Sequence, residues 1–494
     1  MRLQKCMPPC RHGSRRRWQR DFRKFQECPI VRSGWLEEGG RRLDCNPYMS
    51  GALEARDVLR KLSVPKEPLR SLTAGFSGGI FNGPKFARHW VTESEYGVPF
   101  LSNSDMLNAE LSVLPLLKKS YAQSRTLKHL QLEEGMTLIS CSGTIGRTVY
   151  VRPDMDGMWS SQHIMKVSPD RSRVAPGYLY AYLSSRYGVP LLVSGTYGAI
   201  IQHIEPAHIE TLPVPRFDDE FEGAVNDLIN SSAVKRSTAQ LALADTLRSF
   251  ENAAGISGRR VGSVTEFSTS LVSFSDLNDR LDAPYHCASA LLAERILDYS
   301  NFPVQQLSEV VARYFKPPIF KRLWVDTEEY GRLFVSGNDI YRYQPEERRY
   351  VSKRTPRFED FILNRGWLVF QAAGQIYGLF GRPLLVNGWL ENAFCADDVF
   401  RIVPRNEIDG AFLYLFFRTS VGQALIKRQA SGNSIPRVWE PHISRLRVLW
   451  PDPAVREKFA LPVIEAHEAI EQARLEELKA IAMVEARIKG SANG

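Results

Sequence analysis

The stretch "EYGVPFLSNSDM" at residues 95–106 returns at residues 329–340 as "EYGRLFVSGNDI", 234 positions further along the chain. The same offset joins "GPKFARHWV" (83–91) to "PPIFKRLWV" (317–325), and "GYLYAYLSSRYG" (177–188) to "AFLYLFFRTSVG" (411–422). Earlier in each copy, "RRLDCNPYM" from Arg41 corresponds to "DRLDAPYHC" from Asp279. Self-similarity at a nearly fixed spacing is the sequence signature of a repeated structural unit. The sequence therefore predicts two copies of one domain.

Each copy is followed by a long segment whose apolar residues recur at helical spacing. After the first copy these positions are Phe221, Val225, Leu228 and Ile229, continued by Leu241, Ala244 and Leu247. After the second copy they are Phe459, Val463, Ile470, Leu478, Ile481, Val484 and Ile488. A helix with one apolar stripe must bury that stripe, and the simplest partner for each helix is the other one.

Short runs inside the first copy alternate between strand and helix character. "MTLISCSG" (136–143), "TVYVRP" (148–153) and "HIMKVSP" (163–169) favour strands, whereas "PGYLYAYLSSRYG" (176–188) favours a helix. We therefore predict an α+β fold: two tandem homologous domains separated by long helices that pair as an antiparallel coiled coil. The predicted organisation is a basic N-terminal extension at 1–40, a first domain at 41–216, a central helix at 217–252, a linker at 253–278, a second domain at 279–451 and a C-terminal helix at 452–490.

The net charge of +9 is concentrated at one end of the chain. Residues 1–30 contain nine Lys or Arg and two Asp or Glu, so the rest of the chain is nearly neutral. A basic DNA-binding arm and a disordered extension both fit this segment. Its possible zinc ligands Cys6, Cys10, His12 and Cys28 lack the paired spacing of zinc sites. Scattered cysteines, no apolar run near ~18 residues and no secretory signal lead us to expect a cytoplasmic protein.

The segment "GTYGAIIQHIEPAHIETLPVP" (195–215) contains four possible metal ligands: His203, Glu205, His208 and Glu210. The corresponding segment of the second copy is "SGNSIPRVWEPHISRLRVLWP" (431–451). It repeats Glu-Pro and His-Ile but has no counterpart of the first histidine or of the last glutamate. A metal site that both copies needed would keep its ligands. A structural turn followed by a strand is the favoured interpretation, and a metal-dependent enzyme centred on these four residues is the alternative.

Other catalytic motifs are incomplete. "DCNPY" (44–48) resembles the Asn-Pro-Pro-Tyr motif of adenine methyltransferases but lacks the second proline, and the second copy has "DAPY" without the asparagine. "SGTIGR" (142–147) is neither a dinucleotide-binding glycine motif nor a P-loop. We therefore expect no catalytic residue, no metal site and no cofactor in this chain.

The ordered set of motifs resembles the specificity (S) subunit of type I restriction–modification enzymes over nearly the whole chain after residue 40. The motifs that carry the resemblance are "RLD" at the start of each copy, "SGTIGR" (142–147) and "AAGQIYG" (372–378), the two Glu-Pro segments, and the helix after each. Family members often have Pro-Leu-x-Glu-Gln where the helix begins. Here the sequence reads "PVPRFDDEFEG" (213–223) and "WPDPAVREKF" (450–459), which indicates a divergent member.

The resemblance implies a function for each part of the chain. Each copy would be a target recognition domain that reads one half of a split DNA sequence, and the helices would act as a spacer. The subunit would have no catalytic activity. Two modification subunits would bind S-adenosylmethionine and methylate adenine, and restriction subunits would use ATP and Mg to translocate and cleave double-stranded DNA.

Basic residues at corresponding places in the two copies are the candidate DNA contacts, because Lys and Arg bind phosphates and Arg also pairs with guanine edges. In the first copy they are Lys85, Arg88, His89, Lys118, Lys119, Arg125 and Lys128. In the second copy they are Lys316, Lys321, Arg322, Arg342, Arg348, Arg349, Lys353 and Arg354. The doublets beside Tyr121 in "KKSY" and beside Tyr350 in "RRYVSKR" suggest a matched pair. A solvated surface, on a coiled-coil scaffold that binds no DNA, is the competing interpretation.

Overall fold

The computed structural model describes residues 33–38, 51–143, 145–194, 203–258, 261, 269–274, 277, 280–345, 348–376, 378–432 and 434–493. The N-terminal extension apart from residues 33–38, the "RLD" of the first copy and much of the expected linker lie outside the described residues. None of the described helices is long and apolar enough to cross a membrane.

The described strands follow the same order in both copies, ten in each. The helices are α1 (Ser33–Glu38), α2 (Ala52–Lys61), α3 (Lys119–Ala122), α4 (Pro176–Ser184), α5 (Gly188–Ser194), α6 (Pro206–Ile209), α7 (Asp219–Ala253), α8 (Ala288–Asp298), α9 (Leu307–Val310), α10 (Glu407–Arg418), α11 (Ser420–Arg428), α12 (Glu440–Ser444) and α13 (Pro453–Asn493). The strands of the first copy are β1 (Lys66–Pro68), β2 (Ile80–Phe81), β3 (Trp90–Val91), β4 (Gly97–Leu101), β5 (Leu116–Lys118), β6 (Thr137–Ser140), β7 (Thr148–Tyr150), β8 (Trp159–Ser160), β9 (Ile164–Val167) and β10 (Pro213–Pro215). Those of the second copy are β11 (Val304–Gln306), β12 (Val311–Phe315), β13 (Trp324–Val325), β14 (Gly331–Val335), β15 (Tyr350–Ser352), β16 (Leu368–Gln371), β17 (Leu384–Leu385), β18 (Phe394–Cys395), β19 (Val399–Pro404) and β20 (Arg447–Leu449).

Sheet topology repeats strand by strand. The first copy has a four-stranded sheet in the order β2-β9-β6-β7, which we call the large sheet, a second in the order β3-β5-β4-β8, which we call the small sheet, and the pair β1-β10. The corresponding orders in the second copy are β12-β19-β16-β17 for the large sheet, β13-β15-β14-β18 for the small sheet and β11-β20 for the pair. Strand β6 is buried at every position, as expected for a central strand that is covered on both faces. This repetition confirms the predicted α+β class and the internal duplication.

The chain forms two compact units. The first contains the described residues up to Ser237 together with those from Gln472 onward, and the second is Thr238–Glu471. Each unit contains part of both long helices. In the first unit, Ser232 Oγ donates to the carbonyl of Ala473 at 2.7 Å, and Arg487 pairs with Asp218 at 2.6 Å. Residue numbers rise along α7 as they fall along α13, so the two helices are antiparallel, as predicted.

The buried side of α7 differs from the predicted stripe in its second half. Leu241 and Ala244 are exposed, whereas Leu243 and Phe250 are buried. The buried positions at 229, 236, 243 and 250 are seven residues apart, which is the spacing of a coiled-coil seam. The polar residue Arg236 occupies one of them and donates to the carbonyl of Asn108 at 2.9 Å.

The "RLD" of the second copy stabilises the start of its domain. The Arg280 side chain is buried and donates from Nε to Asp282 at 2.7 Å. It also donates to the carbonyls of Gln429 at 3.1 Å and Ala430 at 2.7 Å, just after α11 ends. The hydrogen bond from Arg280 lowers the pKa of Asp282. The motif therefore closes the domain, joining its first described residues to the end of a core helix.

A buried basic side chain lies at the same place in the large sheet of each copy. Lys166 on β9 is fully buried and donates to the carbonyls of Ile164 at 2.9 Å and Ser161 at 3.3 Å. Arg401 on β19 is also fully buried and donates to the carbonyl of Ala396 at 3.0 Å. Each side chain holds the turn between two strands. Burial lowers the pKa of Lys166 from 10.5 to about 7.

Replacing Lys166 with methionine is expected to change how stability depends on pH. Between pH 7 and 9 the unfolded wild-type chain binds a proton at this amine that the folded chain does not, so the free energy of unfolding rises with pH. The slope from this one group is at most about 1.4 kcal/mol per pH unit. Urea unfolding of Lys166→Met across this range should lack that rise, whereas the exposed control Lys85→Met should keep it. Identical slopes in wild type and Lys166→Met would contradict this assignment.

Candidate nucleic-acid interface

The small sheet of each copy presents an arginine and a tryptophan against a phenylalanine. The Arg88 guanidinium lies 5.3 Å from the ring centre of Phe100, and Trp90 meets the same ring edge to face at 5.5 Å. Trp90 is 48% exposed although it is a large aromatic side chain. Cation–π contact fixes the direction of the arginine while its charge stays accessible.

The second copy repeats this arrangement. Arg322 lies 5.2 Å from the ring centre of Phe334, and Trp324 meets that ring edge to face at 5.2 Å. Trp324 is 43% exposed, and Arg349 lies 5.1 Å from its ring centre. We call Arg88 with Trp90, and Arg322 with Trp324, the arginine–tryptophan edge of each copy. Both arginines were predicted from the sequence, whereas the tryptophans and the phenylalanines were not; the recurrence of "R-x-W-V" in both copies was the available signal for the tryptophans.

Strand alternation separates the neighbouring candidate His89 from this edge. Its ring meets Tyr121 edge to face at 4.8 Å instead of contacting Phe100. The second copy has Leu323 at this place. The two copies therefore share the edge but differ at the intervening residue.

Backbone hydrogen bonds correct the pairing of the basic doublets. Lys119 donates its backbone N–H to Tyr96 at 2.8 Å, and Lys353 donates to Tyr330 at 3.0 Å, so these two lysines are structural equivalents. Lys118 is equivalent to Ser352, because the N–H groups of both donate to the residue before the tryptophan of the edge strand. Arg348 and Arg349 precede β15 and do not match "KK". The two basic doublets resemble each other in sequence, but in the structural alignment of β5 with β15 they lie several residues apart.

A cleft of about 610 Å³ lies beside the two lysines of the first copy. It is lined by Val91, Thr92, Glu93, Glu95, Tyr96, Lys118, Lys119, Ser120 and Gln123. Carboxylates and ammonium groups therefore share this surface. The attraction of the lysines for phosphate is partly offset by their acidic neighbours.

The other candidates are spread over several elements. Exposed positions are occupied by Lys85, Arg125, Lys128, Lys321, Arg348 and Arg354. Lys316 and Arg342 are half-buried. Arg342 follows the short 3-10 helix Asp339–Tyr341, outside the small sheet. The small sheet brings together the arginine–tryptophan edge, Lys119 after β5, Lys353 after β15, and Arg349.

The Glu-Pro segments have a structural role in both copies. Glu205 accepts a hydrogen bond from the backbone of His208, and His208 Nδ1 accepts one from the backbone of Glu205 at 2.9 Å, which forms a reciprocal cap on α6. Glu205 also accepts from Asn82 at 3.5 Å. In the second copy, Glu440 accepts from the backbone N–H of Lys316 at 2.9 Å. Each glutamate therefore fastens this segment to the chain beyond β2 or β12.

The remaining members of the histidine–glutamate group point to other neighbours. His203 forms a β-bridge with Ser142, and Glu210 pairs with Arg70 at 3.4 Å. Within the described part of the chain, no group of three or more His, Cys, Asp or Glu residues is placed to hold a metal ion. The segment forms one helical turn, α6, and then strand β10, where the sequence predicted a turn and a strand.

Comparison with known proteins gives matches among solved structures only. The S subunit of a type I restriction–modification system from M. genitalium matches with 12% identity and a TM-score of 0.34, over 87% of this chain and 96% of that one. The HsdS subunit from Thermoanaerobacter tengcongensis matches with 10% identity and a TM-score of 0.27, over 88% and 95%. A chain from a structural study of complex assembly and conformational transition of the type I R-M system matches with 11% identity and a TM-score of 0.26, over 87% and 98%. No family model and no curated protein matches this chain.

Proposed function

We propose that this chain is a DNA-specificity subunit of a type I restriction–modification complex, with one copy for each half of a bipartite target. The observation that carries the proposal is the duplicated small sheet. Both copies keep the arginine–tryptophan edge in the same geometry, while the side chains around it differ. Two readers of different half-sites need the same means of holding the DNA backbone and different means of reading bases.

The chemistry of the edge suits a nucleic acid. A guanidinium is always charged, is weakly hydrated and pairs with two phosphate oxygens at once. The exposed tryptophan beside it offers a flat apolar surface to sugars or bases. Arg88 and Arg322 would bind phosphates, and Lys119 and Lys353, which follow β5 and β15, would add positive charge beside them.

The catalytic steps belong to partner proteins in this proposal. Two modification subunits bind S-adenosylmethionine and methylate adenine in each half-site. Restriction subunits, with ATP and Mg, cleave the DNA. The chain itself contributes no catalytic residue and selects where the partners act. The sequence resemblance to type I specificity subunits supports this division.

Neutralising the lysine pair tests the proposed interface. Lys118→Gln with Lys119→Gln is expected to weaken binding to short duplexes and to lower the slope of log K against log salt by up to about 0.9 for each phosphate that is no longer neutralised. Fluorescence anisotropy of the purified chain, alone and with its co-purifying partners, measures both quantities. The matched control is Lys61→Gln with Lys489→Gln, which removes two exposed charges elsewhere. An unchanged slope would remove the pair from the interface, and a wild-type chain that binds no duplex would favour the scaffold interpretation.

A further inference from the structure

Four segments of the first copy meet at one corner beside the arginine–tryptophan edge. Asn103, after β4, donates from Nδ2 to the carbonyl of Ser142 at 3.0 Å. Ser142 forms a β-bridge with His203. Gln162 and His163, in the turn between β8 and β9, contact each other through Nε2 of both side chains at 3.1 Å. We call Asn103, Gln162, His163 and His203 the corner cluster of the first copy.

In the corner cluster, two hydrogen-bond acceptors have no donor among the described residues. Asn103 Oδ1 and Gln162 Oε1 are buried and accept no hydrogen bond from the described residues. Such atoms are rare in folded proteins and often mark functional sites. Both side chains are only half-buried, and the terminal torsion of an amide is soft, so a small rotation turns the acceptor outward. Burial, Arg88 and His203 lower the pKa of His163, which favours a neutral imidazole beside them.

The second copy has the same corner with different chemistry. The backbone N–H of Cys141 donates to the carbonyl of His163 at 3.0 Å, and that of Ala372 donates to the carbonyl of Asp398 at 2.8 Å, so Asp398 occupies the place of His163. Asp398 Oδ1 is buried and accepts no hydrogen bond from the described residues. A β-bridge joins Ala373 to Arg437, as one joins Ser142 to His203. The corner cluster of the second copy is Asp397, Asp398 and Arg437.

Two observations separate this corner from an ordinary surface. A buried basic side chain, Lys166 or Arg401, supports the strand turn beneath it in both copies, so the backbone frame is shared. The retained arginine of the edge is close enough to act electrostatically on the cluster: Arg88 on His163 and Arg322 on Asp398. Both copies therefore keep the backbone of the strand turn and the arginine of the edge, whereas the side chains of the corner clusters differ.

We propose that the corner clusters are the base-reading sites of the two copies. This inference rests on the proposed function. An amide side chain can accept from the amino group of adenine and donate to its N7, so the first copy reads an A·T pair at this corner. A carboxylate and a guanidinium in the second copy match the amino group of cytosine and the N7 and O6 acceptors of guanine, so that copy reads a G·C pair. The arginine–tryptophan edge then holds the backbone beside each corner.

Two single variants in the source strain test this assignment, each serving as the control for the other. In Gln162→Ala, genome-wide adenine-methylation sequencing should show one half-site relaxed at an A·T position, with discrimination there reduced about tenfold and the other half-site unchanged. In Asp398→Ala, the relaxed position should be a G·C pair in the opposite half-site. The nearly isosteric Gln162→Met and Asp398→Leu repeat the test in case an alanine variant fails to fold, with thermal melting as the check.

The outcomes separate this inference from the proposed function. An unchanged motif in folded variants, or equal relaxation of both half-sites, would overturn the assignment of the corner clusters. If the wild-type gene supports no methylation at any split motif, the proposed function fails instead.

Discussion

Phe250→Ala is expected to lower the free energy of unfolding of the protein by about 3–5 kcal/mol. The Phe250 side chain is fully buried near the end of α7. Its ring contacts Phe412 and Phe459 edge to face, both at 5.5 Å, and Phe302 at 6.1 Å. Alanine would leave a cavity at the point where both long helices meet the core of the second unit. Urea unfolding followed by circular dichroism measures the loss.

The matched control lies on the same helix. Leu241→Ala removes a side chain that is 63% exposed and should change the free energy of unfolding by less than about 0.5 kcal/mol. Equal effects of Phe250→Ala and Leu241→Ala would mean that the α7 seam does not run through positions 229, 236, 243 and 250.

Arg88→Ala combined with Arg322→Ala is expected to weaken binding to every DNA duplex by about 100-fold at low salt. Each arginine contributes a charge-assisted contact of about 1.4 kcal/mol, which is a factor of about ten in the dissociation constant. Because phosphates carry no sequence information, target and random duplexes should lose affinity equally. Competition binding with both duplexes measures the two effects separately.

The control for the arginine pair is Arg60→Ala with Arg248→Ala. Both side chains are exposed and pair with an aspartate three residues earlier on their own helix. Surface pairs of this kind contribute little, so binding and stability should stay close to wild type. A loss confined to the target duplex would show that Arg88 and Arg322 read bases and do not hold the backbone.

Much of the fold could be predicted because the duplication is visible in the sequence. Helix α7 begins at Asp219, close to the predicted boundary, because Asp218 Oδ1 accepts the backbone N–H of Phe221 at 2.9 Å. The second half of the α7 stripe was predicted wrongly, since Leu241 and Ala244 are exposed, whereas Leu243 and Phe250 are buried. Tertiary contacts, which the local sequence pattern does not report, determine which face of the second half of α7 is buried.

The candidate site was less accessible to sequence reasoning. Arg88 and Arg322 stood out as basic residues, but their aromatic supports lie on another strand. The corner cluster is assembled from residues as far apart as Asn103 and His203, which share no local motif. Only a position-by-position comparison of the two copies points to this cluster. The backbone around the corner is the same in both copies, whereas the polar side chains there differ.

The most direct test of the proposed function is adenine-methylation sequencing of the source strain with and without this gene. We expect one motif, two short half-sites around a fixed gap, to be methylated in the wild type, to lose methylation on deletion and to regain it when the gene is restored. Persistence of every methylated motif after deletion would contradict the assignment of this chain as the subunit that selects the DNA target.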